Sequence, residues 1–146
     1  EMLGIVMNFT QSISTCMRKY VTFSGRATRS EFWWFCLFTI LVNFATTSQA
    51  SSFLPVLLEK QDMTANESSY FLNNFFFLYL STITSLILLL PSLAVAARRL
   101  HDIGRSGWWI LIAFTVIGII PLLIWYVTDT KDEENIYGPN PKTEDN

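Results

Sequence analysis

Apolar and polar positions along this chain fall into long blocks rather than a short alternation. Three apolar runs stand out, from about Glu31 to Gln49, from Tyr70 to Ala97 and from Trp108 to Val127. The first has a core from Phe32 to Ala45 in which only Thr39 and Asn43 are polar. The third is 20 residues long, the length of a standard helical crossing, with Gly118 and Pro121 placed to kink it. The second is 28 residues long, about 42 Å as a helix, against a hydrocarbon core of about 30 Å. A bend at Pro91 together with a stub protruding from the membrane absorbs the excess.

The flanking segments are of different kinds. Between about residues 7 and 22, Phe9, Ile13, Met17, Tyr20 and Val21 share one helical face with Cys16 beside them, while Asn8, Gln11, Ser12, Thr15, Arg18 and Lys19 take the rest. That period fits an amphipathic helix lying in the membrane interface, and fits equally a helix packed across the ends of the others. Polar residues interrupt this segment too early for a secretory signal. Ser24-Gly25 reads as a turn, with Thr28 or Ser30 as the cap of the following helix. The connection Ser48 to Ser69 is polar and carries a net −2. Its Asn66-Glu67-Ser68 sequon is too common a pattern to weigh. The tail from Thr128 to Asn146 carries a net −4, and Asn135 to Pro141 reads as turn-rich and extended.

Composition agrees with this layout. Of 146 residues 51% are hydrophobic and 15% charged, below the quarter usual in a soluble domain. The fold class expected is all-α: a polytopic helical membrane protein forming one domain over residues 1–146. It would have an interfacial helix at 7–22, spans at 31–49, 70–97 and 108–127, and a polar tail at 128–146. Cys16 and Cys36 lie in segments of different character, so no disulfide is expected. There is no CxxC, and one histidine makes no metal cluster. No cofactor and no nucleic-acid partner are expected.

Charge then orients the chain. Arg18, Lys19, Arg26 and Arg29 precede the first run, and Arg98, Arg99 and Arg105 separate the second from the third. Only Lys60, Lys131 and Lys142 fall in the other two segments. Short basic loops stay in the cytoplasm, which predicts a cytoplasmic N-terminus and a periplasmic C-terminus. A split or re-entrant second run would instead return the tail to the cytoplasm.

Two similar boxes meet on the basic face. One runs from Gly25-Arg26 through Arg29 and Glu31 to Trp33-Trp34, the other from Gly104-Arg105-Ser106-Gly107 to Trp108-Trp109. The four tryptophans suit anchoring at headgroup level. Glu31 and Asp102 do not, because a carboxylate at an anionic surface needs a partner; each is expected to bridge to an arginine of the opposite box. Arg26, Arg29, Arg98, Arg99 and Arg105 exceed the two carboxylates by three, and with His101 they form a candidate face for anionic lipid headgroups or a partner. His101 beside Asp102 permits acid–base chemistry, but no nucleophile motif accompanies it and a structural histidine is the favoured reading. No span centre carries a charge, which counts against an ion-coupled transporter.

Phe23-Ser24-Gly25-Arg26-x-x-Arg29-Ser30-Glu31-Phe32-Trp33-Trp34, Arg98 to Trp109 and Asn135-x-Tyr137-Gly138-Pro139-Asn140-Pro141 resemble the bacterial domain-of-unknown-function family 805, from about Met7 to Lys142. The resemblance implies a bacterial inner-membrane location, three to four helices and a native start at Met7, with Glu1 to Val6 upstream or vector-derived. It implies no activity. The chain departs from the family in lacking a Gly-rich turn before Asn135 and in its long first loop. The function expected is non-catalytic: the cytoplasmic collar binds anionic headgroups or a protein partner, in a homo-oligomer or with another membrane protein. The alternative is an oligomeric channel or small-solute transporter lined by polar positions of the first two spans; an enzyme comes third.

Overall fold

The computed structural model describes residues 7–50, 65–130 and 133–142. The main elements are helices α1 (Phe9–Arg18), α2 (Arg29–Ala50) and α3 (Ala65–Asp102), a 3-10 segment (Gly107–Phe114), helix α4 (Ile119–Val127) and a two-residue hairpin of β1 (Glu134–Asn135) and β2 (Gly138–Pro139). The chain divides into two compact units: residues up to Leu37 together with those from Leu90 onward, and residues Phe38–Leu89.

Local chemistry sets the helix starts. Asn8 and Gln11 form a reciprocal capping box at α1, with Gln11 N donating to Asn8 Oδ1 at 2.9 Å and Asn8 N to Gln11 Oε1 at 3.1 Å. Thr28 caps α2, its hydroxyl accepting from Glu31 N at 3.1 Å. In the first unit α1 buries its Ser12 and Cys16 stripe, and its start is tied to that of α2 by Met7 N donating to Ser30 Oγ at 3.1 Å. Met17 stays exposed, as does Val21 beyond its end, while Phe9 and Ile13 are half-buried. The most deeply buried positions of the helix are thus its small Ser12 and Cys16.

Helices α2 and α3 reach into the stretch expected as a polar connection. Thr46 Oγ1 bonds to Val42 O at 3.0 Å and Ser48 Oγ to Ala45 O at 3.3 Å, so the hydroxyls are satisfied without leaving the helix. Residues 51–64, including most of that connection, lie outside the described residues, as do residues 1–6, 131–132 and 143–146. In the second unit Ser85 Oγ donates to Asn43 Oδ1 at 2.6 Å, while Asn43 Nδ2 donates to Thr39 O at 2.8 Å. Helix α3 continues through Pro91. Among the described residues one helical stretch, Phe75–Asp102, is long and apolar enough to cross a membrane.

α3 stops in a Schellman turn. Gly104, at φ +74°, donates to His101 O at 2.9 Å, and Arg105 N donates to Leu100 O at 2.9 Å. Ser106 then caps the 3-10 segment.

The third apolar run is not the continuous helix expected for 108–127. It breaks at Thr115, whose hydroxyl bonds back to Ile112 O at 2.7 Å, and turns at Gly118. A Cβ on Gly118 would meet Ile112 O at 2.1 Å, so this close backbone approach needs glycine. Pro121 falls in the first turn of α4, where a missing N–H is tolerated. Eight residues of 3-10 helix rise about 16 Å and nine of α-helix about 13 Å, each short of a hydrocarbon core of about 30 Å.

Candidate functional site: a buried arginine–carboxylate collar

The largest fully buried side chains of the described residues include charged ones: Arg98, Arg99, Glu31 and Asp102. The turn before α2 and the end of α3 bring them together, with Ala27 N donating to Arg98 O at 3.1 Å to join the two backbones. Arg98 Nη1 donates to Glu31 Oε1 at 2.6 Å. Arg98 Nε and Nη2 have no partner among the described residues, so Glu31 is the group that makes this buried cation tolerable. Cys16 Sγ reaches Glu31 Oε1 at 3.7 Å from α1. Burial foremost, with Glu31 adding to it, pushes this thiol up to about 12, so it stays protonated and unreactive.

Asp102 is the hub of the other half. Its Oδ1 accepts from Arg26 Nε at 2.9 Å, and its Oδ2 accepts from Arg99 Nη1 and from the Thr130 hydroxyl. Arg26 also donates to Gly138 O at 3.0 Å and Asp102 O at 3.3 Å. Arg99 also donates to Tyr126 O at 3.2 Å and to Thr128 O. Those carbonyls end α4, where the helix dipole is negative, so Arg99 caps that helix as well as pairing with Asp102. Three buried arginines against two carboxylates thus leave one positive charge, and backbone carbonyls absorb it.

The tail closes on this cluster. Asn135 Nδ2 donates to His101 O at 2.9 Å, and the Tyr137 ring stacks on the His101 ring at 3.9 Å with the planes 1° apart. His101 Nδ1 lies 3.2 Å from Gly25 O. Because that carbonyl can only accept, Nδ1 carries the proton. His101 and Asp102 therefore serve separate partners. Two of the serines near them are engaged: Ser30 Oγ with Met7 N and Thr28, Ser106 Oγ with Trp108 N. Among the described residues no group of three His, Cys, Asp or Glu could hold a metal ion.

The tail was expected on the membrane face opposite the collar. These contacts correct that: Tyr126, Thr128, Thr130, Asn135 and Gly138 bond directly to Arg26, Arg99, His101 and Asp102, so the described tail residues lie against the collar. The physical reason is the break at Thr115–Gly118, which divides the run into two short pieces.

The remaining residues of the expected face lie outside. Arg29 is exposed, pairs with Asp129 at 3.1 Å and donates to Val127 O at 3.3 Å. Arg105 is exposed with its guanidinium 4.1 Å from the centre of the Trp125 ring, and no ion pair holds it among the described residues. Trp33, Trp34, Trp108 and Trp109 are all exposed, Trp108 by 79%. Trp34 meets Phe9 edge-on at 5.8 Å, and Trp109 meets Trp125 edge-on at 5.5 Å. Tyr126, Thr128, Thr130, Asn135 and Tyr137 join the site without having been picked out in the sequence. The signal for the last two was the Asn135-x-Tyr137-Gly138-Pro139 motif.

Residues 20–139 match the model of the family described as "Protein of unknown function (DUF805)". The chain belongs to this family. It is 36% identical over 127 residues to the inner membrane protein YhaI of Escherichia coli K12, covering 86% of this chain and 91% of that one. It is 33% identical over 132 residues to the inner membrane protein YhaH of the same organism, covering 88% and 93%. No solved structure matches the chain. The Arg98 to Trp109 stretch and the Asn135 to Pro139 motif, which meet in the collar, both lie inside the family match.

Proposed function

We propose that this DUF805 protein is a non-catalytic protein of the bacterial inner membrane that binds anionic lipid headgroups at the rim of its collar. The observation that carries this reading is Arg105. Its guanidinium is exposed, rests on Trp125, and lacks a carboxylate among the described residues, while Trp108 and Trp109 beside it are exposed at a helix start. Indole at headgroup depth with an available guanidinium is the chemistry that holds a lipid phosphate. Arg26, Arg98 and Arg99, with their carboxylates, act inward and give the rim a rigid base; Arg29 and His101 border it. The protein works as a homo-oligomer or with another membrane protein, since its apolar faces are broad. Two short pieces replace one crossing, so collar and tail both face the cytoplasm, and a reporter fused after Lys142 is active there.

The channel or transporter reading has less support. In the second unit Asn43 and Ser85 bond to one another, and Asn43 and Thr84 to their own helix backbone, so these polar groups are engaged rather than free to line a path. The test is native mass spectrometry of the purified protein with added phosphatidylglycerol or phosphatidylcholine. Phosphatidylglycerol should be retained preferentially, and Arg105→Gln should remove the preference. Equal retention of both lipids by the unaltered protein would rule the reading out.

A further inference from the structure

A cleft of about 460 Å³ lies within the first unit, where α3 runs beside the 3-10 segment. Leu93 and Ala97 of α3 and Trp108, Ile110 and Leu111 of the 3-10 segment make its apolar walls. Polar groups enter it from His101, Ser106 and Tyr137. Its volume is that of a small-molecule site, about 300–1,000 Å³. Gly107 sets its floor: a Cβ there would come within 3.0 Å of Ala97 Cβ and 3.3 Å of His101 Nε2, so α3 and the 3-10 segment approach over a bare backbone.

The geometry points to a phospholipid of the surrounding bilayer as the occupant, one acyl chain lying along the Leu93, Ala97 and Leu111 walls and the anionic headgroup reaching Arg105 and Ser106. Three observations argue for this occupant. The α3 wall belongs to Phe75–Asp102, the stretch able to cross a membrane, so hydrocarbon is the medium beside it. Leu111 and Trp108 are exposed as well as lining the cleft, so a chain in it meets the surrounding lipid. Arg105, one residue before the lining Ser106, is the exposed cation whose charge a headgroup phosphate complements. The polar end of this inference rests on the headgroup reading above; the apolar end does not.

The experiment measures lipid dissociation constants by native mass spectrometry of the full chain in detergent. The probes are dipalmitoyl phosphatidylglycerol, dioctanoyl phosphatidylglycerol and dipalmitoyl phosphatidylcholine. The unaltered protein should bind the dipalmitoyl form of phosphatidylglycerol at least about tenfold tighter than the dioctanoyl form. Leu111→Trp, which fills the cleft, should erase that chain-length preference, and Arg105→Gln should erase the headgroup preference while leaving chain length to matter. Thermal unfolding checks that each variant is folded, and Leu111→Phe replaces Leu111→Trp if the larger ring is not accepted. Equal affinity for both chain lengths, or a folded filling variant that binds as the unaltered protein does, would overturn the cleft assignment and leave the headgroup reading intact. Chain-length preference with no effect of Arg105→Gln would do the reverse. Dimers that the filling variant abolishes, without lipid adducts, would give the cleft to a second copy of the chain.

Discussion

Within α3, the apolar side chains at 86, 87, 89 and 90 and the charged ones at 98, 99 and 102 obey opposite rules of burial. Leu86, Ile87, Leu89 and Leu90 are 43–62% exposed, whereas Arg98, Arg99 and Asp102 are at most 1% exposed. A soluble helix would show the reverse, because water rewards apolar burial and solvates charge. In hydrocarbon an outward leucine costs nothing, and helix contact is specified by packing and polar bonds instead. A charge at the membrane edge must be paired or sent to water. The contrast teaches that the order of this protein is carried by its polar end, and its apolar stretch supplies the setting.

The largest effect that would break the comparison is at Asp102. Asp102→Asn strips the charge from a group that accepts from Arg26, Arg99 and Thr130, leaving two buried guanidiniums under-compensated. Removing one partner of a buried pair costs about 3–5 kcal/mol, and this variant should reach the upper end in detergent unfolding. A loss below about 1 kcal/mol would mean the hub is not as drawn.

Next in size is the tail. Asn135→Ala deletes the donor to His101 O and should cost about 1–2 kcal/mol, with faster protease cleavage after residue 128 as the direct readout. Leu86→Ala, in the contrasting stretch, should change stability by no more than about 0.5 kcal/mol despite removing a large apolar side chain. A loss of 2 kcal/mol or more at Leu86, of the size seen for buried leucines, would show that this face is packed in the working protein.

The smallest effect concerns pH. The hydrogen bond from Lys142, ahead of its charge and of Arg29, holds the Asp129 carboxyl below its ordinary value. A depressed folded-state value gives stability that is complete above the unfolded carboxylate value and lost as pH falls through the folded one. The pair is half-exposed, so the dependence should be slight, and Asp129→Asn should flatten it in unfolding curves below about pH 4.

Some of this was legible in the residues and some was not. Glu31 and Asp102 stood out because an unpaired carboxylate on a basic face has no physical reason to be there; in the structure Glu31 lies against Arg98, outside both boxes, and Asp102 against Arg26 and Arg99. The family was legible in the spacing of three motifs. The helical start at Thr28 was legible as one of two caps. The fate of Trp108 to Val127 was not. Apolar length is the usual evidence for a crossing, and it cannot see that Thr115 will bond back to Ile112 or that Gly118 will admit Ile112 O. Once that segment was read as one continuous helix, the tail was set apart from the collar, and Tyr126, Thr128, Thr130, Asn135 and Tyr137 were lost from the site. The arginine surplus was also a matter of counting: the sequence gives charges, while the carbonyls at the end of α4 that quench Arg99 exist only once the chain is folded.

The central claim is that buried charge pairs hold this end of the protein together, and the Glu31–Arg98 pair tests it most directly. A double-mutant cycle of Glu31→Gln, Arg98→Met and the two combined, followed by unfolding in detergent, isolates their interaction. Each single variant should lose about 3 kcal/mol or more, and the double should lose less than the two singles added together, by at least about 1 kcal/mol. Strictly additive losses would mean that Glu31 and Arg98 do not depend on one another, contradicting the account.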